Sequence, residues 1–545
     1  MKEKNINKIK FQNLYMNLQN LSVNKKFSKH IKKNFSGIKK NTNKKGIILV
    51  EFNGWSSHHI CYGYLINSLN KKYSCTVNAY EGYTLISSNI SQSFSQKLKW
   101  YLGQKLLINN FGIYNEMGAK NFLRPSKSKL INNQVSQLMT KKKFRNRNEV
   151  LNFTINRIWV GDLIYDTYLK VKNKPTINTD EDEFKTFVNE TIYVFFYWYN
   201  YFKNNPVKAL IISHSTYLYG MIMRIATEFS VTVYKPTFNT IYKIKNKNYT
   251  IGNEFVTYKD KFRKLPSKVK KSGLMNAKKE INLMISGKRK FGIGYNLKRK
   301  KTVISKSNKI SVMIAMHNFY DSPHVFGKML FPDFVVWLEN VVALSLRTNY
   351  LWYFKLHPEN TKKDFIYIKS ILNKNKNIKI ISHKKNQNEI IEMNIRYVLT
   401  CFGSIGYEYA YRGITVLNAC TRNPHSGYNF THNPKTINEF NNMVLNLTKY
   451  QLKPKKKEIL EFFFMRRFHL RINWLKLNRS SLSKGFGWKK NIYRPEIYNF
   501  WMKNFSKKNH EMISKTCDNF INSKDYKMAD YHLERNNNQF LTSSI

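Results

Sequence analysis

The first sustained apolar run along the chain is GIILVEFN at 46–53, short and continuous in the way of a strand buried in a parallel sheet. A helix-compatible segment over 58–71 follows, then CTVNAY at 75–80 as a second strand, which makes a βαβ opening. Another amphipathic stretch spans 91–107. The same alternation returns in KALIISHSTYLYGMIMRIATEFSVTVYKP at 208–236, which predicts a strand to 213, a helix over 217–229 and a strand over 231–234. Lys-rich runs then occupy 262–309, with one helix predicted at 274–285. A second and clearer series begins with KISVMIAMHN (309–318). It continues through a helix near 333–347, YLWYFKLHP (350–358), a helix over 360–374, NIKII (377–381), RYVLTCFGS (396–404), a helix over 405–412 and ITVLN (414–418). Two separate βα series predict an α/β fold of two Rossmann-like domains facing a cleft. The expected division is a basic extension over 1–45, an N-terminal domain over 46–261, a linker over 262–309, a C-terminal domain over 310–450 and a basic, aromatic helical tail over 451–545. Helical spacing in that tail suits packing across both domains or a basic outer face.

A chain of 545 residues exceeds one ordinary core, and 42% hydrophobic with 15% aromatic residues excludes a disordered protein. The formal charge of +60, from 93 Lys and Arg against 33 Asp and Glu, points on its face to a phosphate-rich partner. That charge is spread along the whole chain, and Lys, Asn, Ile, Tyr and Phe rise together, as an AT-rich coding sequence would produce. No RNA-binding motif and no GK[ST] phosphate loop is present, so no specific nucleic-acid partner is expected. Five cysteines (Cys61, Cys75, Cys401, Cys420 and Cys517) lack CxxC or Cys/His spacing, which argues against zinc and fits a reducing compartment. The opening MKEKNINKIKFQNLYMNLQN has no apolar core of a signal peptide, and TIYVFFYWYNYF at 191–202 falls short of the ~20 residues of a membrane span. A cytoplasmic location follows, with any membrane association peripheral, on an anionic inner face.

Three segments carry candidate chemistry in the second series. In KLHPEN (355–360) an apolar strand runs into His357 and Pro358, and strand carboxyl ends border the ligand crevice of an open α/β sheet. His357 there could donate to a phosphate or act as an acid, with Lys355 adding charge and Pro358 stiffening the turn; capping of the next helix is the structural alternative. In CFGSIGYEYAYRGITVLNA (401–419) Gly403, Ser404 and Gly406 open a helix that bears Glu408. Small residues admit a ligand to the backbone, the helix start attracts phosphate oxygens, and Glu408 could accept from ribose or sugar hydroxyls. Glycine in a strand–turn–helix junction also has a purely packing use. MHNFYDSPHVFGKMLFPDFVVWLE (316–339) places Asp321 and His324 in a loop after the first strand of this series, a possible wall of the cleft or a plain polar loop.

The pairing of HP with a downstream Ser and Glu at about 45 residues' spacing resembles capsule polysaccharide glycosyltransferases of the GT-B fold, the group with Kdo transferases and polysialyltransferases. The matching positions are His357, Pro358, Ser404 and Glu408, with Gly413 at the following strand entry, and the match covers roughly 310–440. The resemblance implies transfer of a sugar from a nucleotide donor, CMP- or CDP-linked, to a surface glycan or its lipid-linked acceptor, with no cofactor besides the donor. The same arrangement resembles CDP-glycerol glycerophosphotransferases, and a non-catalytic RNA- or membrane-binding scaffold is the rival from another class. No metal is required, and no DxD motif ends a strand. The acceptor base is expected in the first half, among Glu51, His58, His59, Glu81, Asp162, Asp166 and His214. VGDLIYDTY (160–168) resembles a segment of surface carbohydrate proteins, which favours Asp162 and Asp166.

Overall fold

The computed structural model describes residues 21–35, 46–82, 102, 105–107, 111–285, 308–382, 385, 387–469, 472, 474–475, 495–529 and 532–533. Most of the stretch expected at 91–107 lies outside these residues, as do 286–307 of the expected linker.

The first half contains α1 (Leu21–Asn34), β1 (Ile47–Glu51), α2 (Ser56–Tyr73), β2 (Thr76–Tyr80), β3 (Ala119–Leu123) and a small hairpin of β4 (Thr154–Ile155) with β5 (Ile158–Trp159). It goes on through α3 (Gly161–Lys172), α4 (Asp182–Asn204), β6 (Val207–Ile211), α5 (Tyr217–Glu228), β7 (Thr232–Thr237) and β8 (Thr240–Ile244). Its sheet runs β3-β2-β1-β6-β7-β8, parallel throughout except for β8 against β7. Ile48, Leu49 and Val50 of β1 are fully buried, because helices cover both faces. On one face Leu49, Leu210 and Val233 pack with α3, α4 and α5; on the other Ile48, Val50 and Val77 pack with α2. The aromatic run at 191–202 belongs to α4, where Thr191, Phe195 and Trp198 are wholly buried in that core.

The second half comprises α6 (Ser267–Ile285), β9 (Ser311–Ala315), α7 (Phe334–Ser345), β10 (Leu351–Lys355), α8 (Lys362–Leu372), β11 (Lys379–Ile381), β12 (Tyr397–Thr400), α9 (Ile405–Tyr411) and β13 (Thr415–Asn418). Its all-parallel sheet runs β11-β10-β9-β12-β13. Helix starts are chemically marked. Asp333 accepts from the amides of Val335 and Val336 at 2.9 Å to cap α7, and Thr361 with Asp364 forms a capping box on α8.

Both sheets therefore follow one doubly wound order, third-second-first-fourth-fifth strand, to which the first adds β8 as an antiparallel sixth, and the two Rossmann-like halves expected from the alternation are present. Strand order reverses between β1 and β6 in the first half and between β9 and β12 in the second. At such switch points the helices leave to opposite faces and open a crevice at the strand carboxyl ends. The tail is helical and touches both halves. Its α10 (Lys456–Phe464) lies on α6, where the Phe464 ring comes so near Gly273 that a Cβ there would sit 2.5 Å away. Further along, α11 (Glu496–Lys503) and α12 (Lys507–Asn522) return to α1 and α2, with Phe27 stacked on Tyr498 at 3.9 Å. Among the described residues no helix is long and apolar enough to cross a membrane.

Candidate functional site

At the end of β10 the His357 amide donates to Asn360 Oδ1 at 2.8 Å, and the Glu359 amide donates to His357 Nδ1 at 3.2 Å. A neutral ring that accepts at Nδ1 carries its proton on Nε2, so His357 has a donor to offer beyond the end of β10. Burial lowers its pKa and favours that neutral form. Lys355 is turned away, donating to the Lys385 carbonyl at 3.1 Å, and burial first, with Lys385 adding to it, pushes its ammonium down to about 8. Two residues past β9, His317 stacks on Phe334 at 4.8 Å; its Nε2 lies 3.1 Å from Thr400 Oγ1 and accepts from the Phe402 amide at 3.4 Å. His317 thus binds the ends of β9 and β12 together across the second switch point. Its place directly after the first strand of the second series is the one signal in the sequence that marks it.

Past β12, Gly403 and exposed Ser404 lead into α9, which is only seven residues long. Glu408 accepts from Gln387 Nε2 at 2.5 Å and from the Ser404 side chain. Burial raises its pKa, opposed by those hydrogen bonds and by the charges of Arg467 and Arg466. Gly406 has a steric reason: a Cβ there would lie 2.4 Å from the His425 ring. Gly406→Ala is accordingly expected to cost about 1–3 kcal/mol by overpacking, read as a lower Tm with unchanged secondary structure. Gly413, at φ +81°, closes α9 in the left-handed conformation that glycine adopts without strain.

The switch point of the first half holds a different set. Glu51, fully buried at the end of β1, accepts from the Ser213 amide at 2.7 Å and from the Ser213 hydroxyl. Burial pushes its carboxyl up to about 7 against those hydrogen bonds. Ser213 Oγ lies 2.9 Å from Nδ1 of half-buried His214. Because the hydroxyl proton goes to Glu51, His214 Nδ1 must be the donor to Ser213, which leaves a lone pair on His214 Nε2. Burial, and secondarily the charge of Lys235, holds His214 down at about 4. Trp55 and His58 line the same spot, at ring distances of 4.7 and 6.5 Å from His214. His59 is committed elsewhere: its Nε2 is 2.9 Å from the Asn53 carbonyl and its Nδ1 2.5 Å from Tyr498 Oη of the tail. Glu81 is ion-paired with Arg124 at 3.2 Å.

Asp162 and Asp166 sit one turn apart on α3, facing different partners. Asp162 takes both arms of Arg224, at 2.6 and 2.7 Å, in a pair only 2–3% exposed. Asp166 crosses to the second half, where it accepts from the His324 amide at 3.2 Å and lies 2.6 Å from His324 Nδ1. The facing carboxylate raises the pKa of His324 against the lowering effect of its burial. Asp333, while capping α7, also accepts from Tyr165 and Thr176 of the first half at 2.5 Å each. Tyr217, after β6, hydrogen-bonds Ser322, next to exposed Asp321 in the loop after β9. The loops that follow β6 and β9, past the two switch points, consequently meet along one seam with α3. Among the described residues no three His, Cys, Asp or Glu side chains are grouped to hold a metal ion.

Two doubly wound sheets define an α/β protein with two Rossmann-like halves. No protein-family model and no curated protein matches the chain. Among solved structures it is similar to KpsC, a beta Kdo 2,4 transferase of Thermosulfurimonas dismutans, at 13% identity over 48% of this chain and 79% of that one, with a TM-score of 0.29. It is similar also to UDP-GlcNAc 2-epimerase of Neisseria meningitidis bound to UDP-GlcNAc, at 11% identity, 84% and 100% coverage and a TM-score of 0.20. MurG of Acinetobacter baumannii gives 8% identity, 84% and 99% coverage and a TM-score of 0.21. Likenesses this distant assign no activity, which rests on the chain's own geometry.

Proposed function

We propose that the protein is a glycosyltransferase that moves a sugar from a CMP- or CDP-linked donor to a hydroxyl of a surface glycan or its lipid-linked precursor. The observation that carries this is the meeting of the loops past both switch points, where Asp321 lies near both Tyr217 and His357, with a hydrogen-bond donor in one half and a proton-accepting chain in the other. In the second half His357 Nε2–H donates to the phosphate oxygen that gains charge as the sugar's anomeric C–O bond breaks. Ser404 turns its hydroxyl from Glu408 to donate to the same phosphate, and Glu408, so released, takes the ribose hydroxyls. In the first half the acceptor hydroxyl gives its proton to His214 Nε2; the Nδ1 proton passes to Ser213, and the Ser213 proton passes to Glu51. The freed oxygen attacks the anomeric carbon, and the nucleotide departs with the bonding pair. Asp162 and Asp166, the acids favoured by sequence, act in this proposal through Arg224 and His324, as positioning residues for the seam. Basic side chains can neutralise the leaving phosphate, so the donor is the one small molecule required.

A lipid-linked acceptor would hold the enzyme peripherally at an anionic cytoplasmic leaflet, and the exposed Lys25, Lys26, Lys29, Lys32 and Lys33 on one side of α1 suit that surface. The test of the reading is a thermal-shift screen with CMP, CDP, UDP, GDP and ADP on the full chain, repeated with His357→Ala. A rise with a cytidine nucleotide that disappears in the variant is expected. A rise with UDP or GDP would keep the class and change the donor, and no rise with any nucleotide would overturn the reading.

A further inference from the structure

The tail reaches the second half by a turn that no candidate motif covered. At the end of α10 the backbone widens into a π-turn over Met465–His469, which carries Arg466 and Arg467. Such turns interrupt the regular ladder and are common at functional sites. Arg466 lies between the rings of Phe255 and Phe462, its guanidinium carbon 5.5 and 5.8 Å from their centroids. Its Nη1 is buried without a hydrogen-bond partner, and no carboxylate lies within ion-pair distance of it among the described residues. Beside it His425 is fully buried against Phe430 and Phe462, with neither ring nitrogen partnered. Burial and then the charge of Arg466 hold His425 down at about 3, so the ring is neutral and still carries one N–H. Leaving a buried donor unsatisfied is costly, and here two of them lie together, one of them on a charged guanidinium.

Their place gives the pattern a use. His425 backs directly onto Gly406 in the first turn of α9, and Arg467 Nη2 lies 3.5 Å from Tyr407 Oη on the same helix. Both arginines act on Glu408, the neighbour of Ser404. Phe255 meets Phe326 edge-on, and Phe326 meets Phe402 edge-on, which leads to His317 at the second switch point. Arg466 is itself only partly buried. A group that could satisfy both the guanidinium and the imidazole must be an acceptor with several lone pairs and negative charge, and it must fit beside a carboxylate that already faces Arg467.

We propose that Arg466 and His425, with Arg467 alongside, form an oxyanion pocket on the flank of α9 that binds the phosphate groups of the nucleotide donor. This rests on the donor site having been placed at Ser404 and Glu408. The tail is then part of the donor site as well as a strap between halves, and phosphate recognition is shared between the β10 end, through His357, and the π-turn.

Calorimetric titration of the full chain with CDP, or the nucleoside diphosphate that the thermal screen selects, and separately with inorganic pyrophosphate, tests this. Arg466→Met keeps the bulk between the two rings and removes the charge; Arg466→Lys keeps the charge. Arg466→Met is expected to weaken CDP about tenfold or more and to flatten the salt dependence of its affinity, as loss of a charge-assisted contact would. Arg466→Lys should lose less. Wild-type affinity and salt slope in Arg466→Met would overturn the pocket, and if His357→Ala still abolished binding the transferase reading would survive alone. Pyrophosphate binding that Arg466→Met removes, in a wild type blind to every nucleotide, would keep the pocket and sink the transferase. Should Arg466→Met unfold, His425→Gln supplies the same comparison, and a wild type that binds no probe overturns both.

Discussion

Glu51→Gln is expected to lower kcat by about 10²- to 10³-fold while the nucleotide-induced rise in Tm stays, because general-base assistance has that size and the proposed donor site lies in the other half. Glutamine still accepts from Ser213 but cannot take up the proton that His214 and Ser213 relay. Wild-type kcat should rise with pH through an apparent pKa near 7, the value to which burial pushes the Glu51 carboxyl. The variant's residual rate should lack that limb. A variant with wild-type kcat, or one that keeps the limb, would remove Glu51 from the mechanism and return the base to another side chain of the seam.

The same residue makes stability and activity run in opposite directions. The folded-state pKa of Glu51 lies above its ordinary value of 4.5, so the folded protein holds a proton that the unfolded chain releases. Stability is therefore greatest below about 4.5 as far as this group is concerned, and it falls as pH rises to about 7. The total penalty is of the order of 3 kcal/mol, present in full above the folded pKa. Glu51→Gln removes it, so the variant should unfold at a higher temperature than wild type at pH 8 and lose that advantage at pH 4.5. An inactive but stabilised variant is the signature of a group kept for function at a cost to the fold.

How far the sequence could be read follows from what periodicity reports. Runs such as IILVE and YVLT are buried on both faces, so strands and their carboxyl ends were visible, and with them His357, Ser404 and Glu408. The seven-residue α9 and the capped starts of α7 and α8 lie within one or two residues of their expected places, since Gly, Asp and Thr mark helix ends by local chemistry. Partners were not visible. Glu51 and Ser213 are 162 residues apart, and only the strand order that seats β6 beside β1 brings them together. Arg224 stands in an apolar helix and Arg466 in a tail rich in Lys, so neither could be told from a solvated cation. The Lys-rich composition around 262 marks a solvent-facing surface, whereas Phe255, Tyr258 and Phe262 already pack with Met313 and Val398 of the second core.

Arg224→Met is expected to destabilise the first half by about 3–5 kcal/mol, the usual consequence of leaving one member of a buried pair without its partner. Arg224 also donates to the Trp159 carbonyl at 2.6 Å and lies 4.8 Å from the centroid of the Trp159 ring, so its loss frees the β4–β5 hairpin as well as Asp162. A second change, Asp162→Leu in the same chain, removes the stranded carboxylate and should restore a large part of the lost stability, because an apolar replacement of a whole buried pair is often neutral. The two roles open to Asp162 make opposite forecasts for that double variant. If Asp162 touched the acceptor, the double variant would be stable and inactive; as the anchor of α3, it recovers activity together with stability, since α3 then still carries Asp166 to His324. The proposed donor pocket draws on β10, α9 and the π-turn, none of which hangs on α3. Calorimetry of Arg224→Met should accordingly show an early transition for the first half, and a later transition that still rises with CDP.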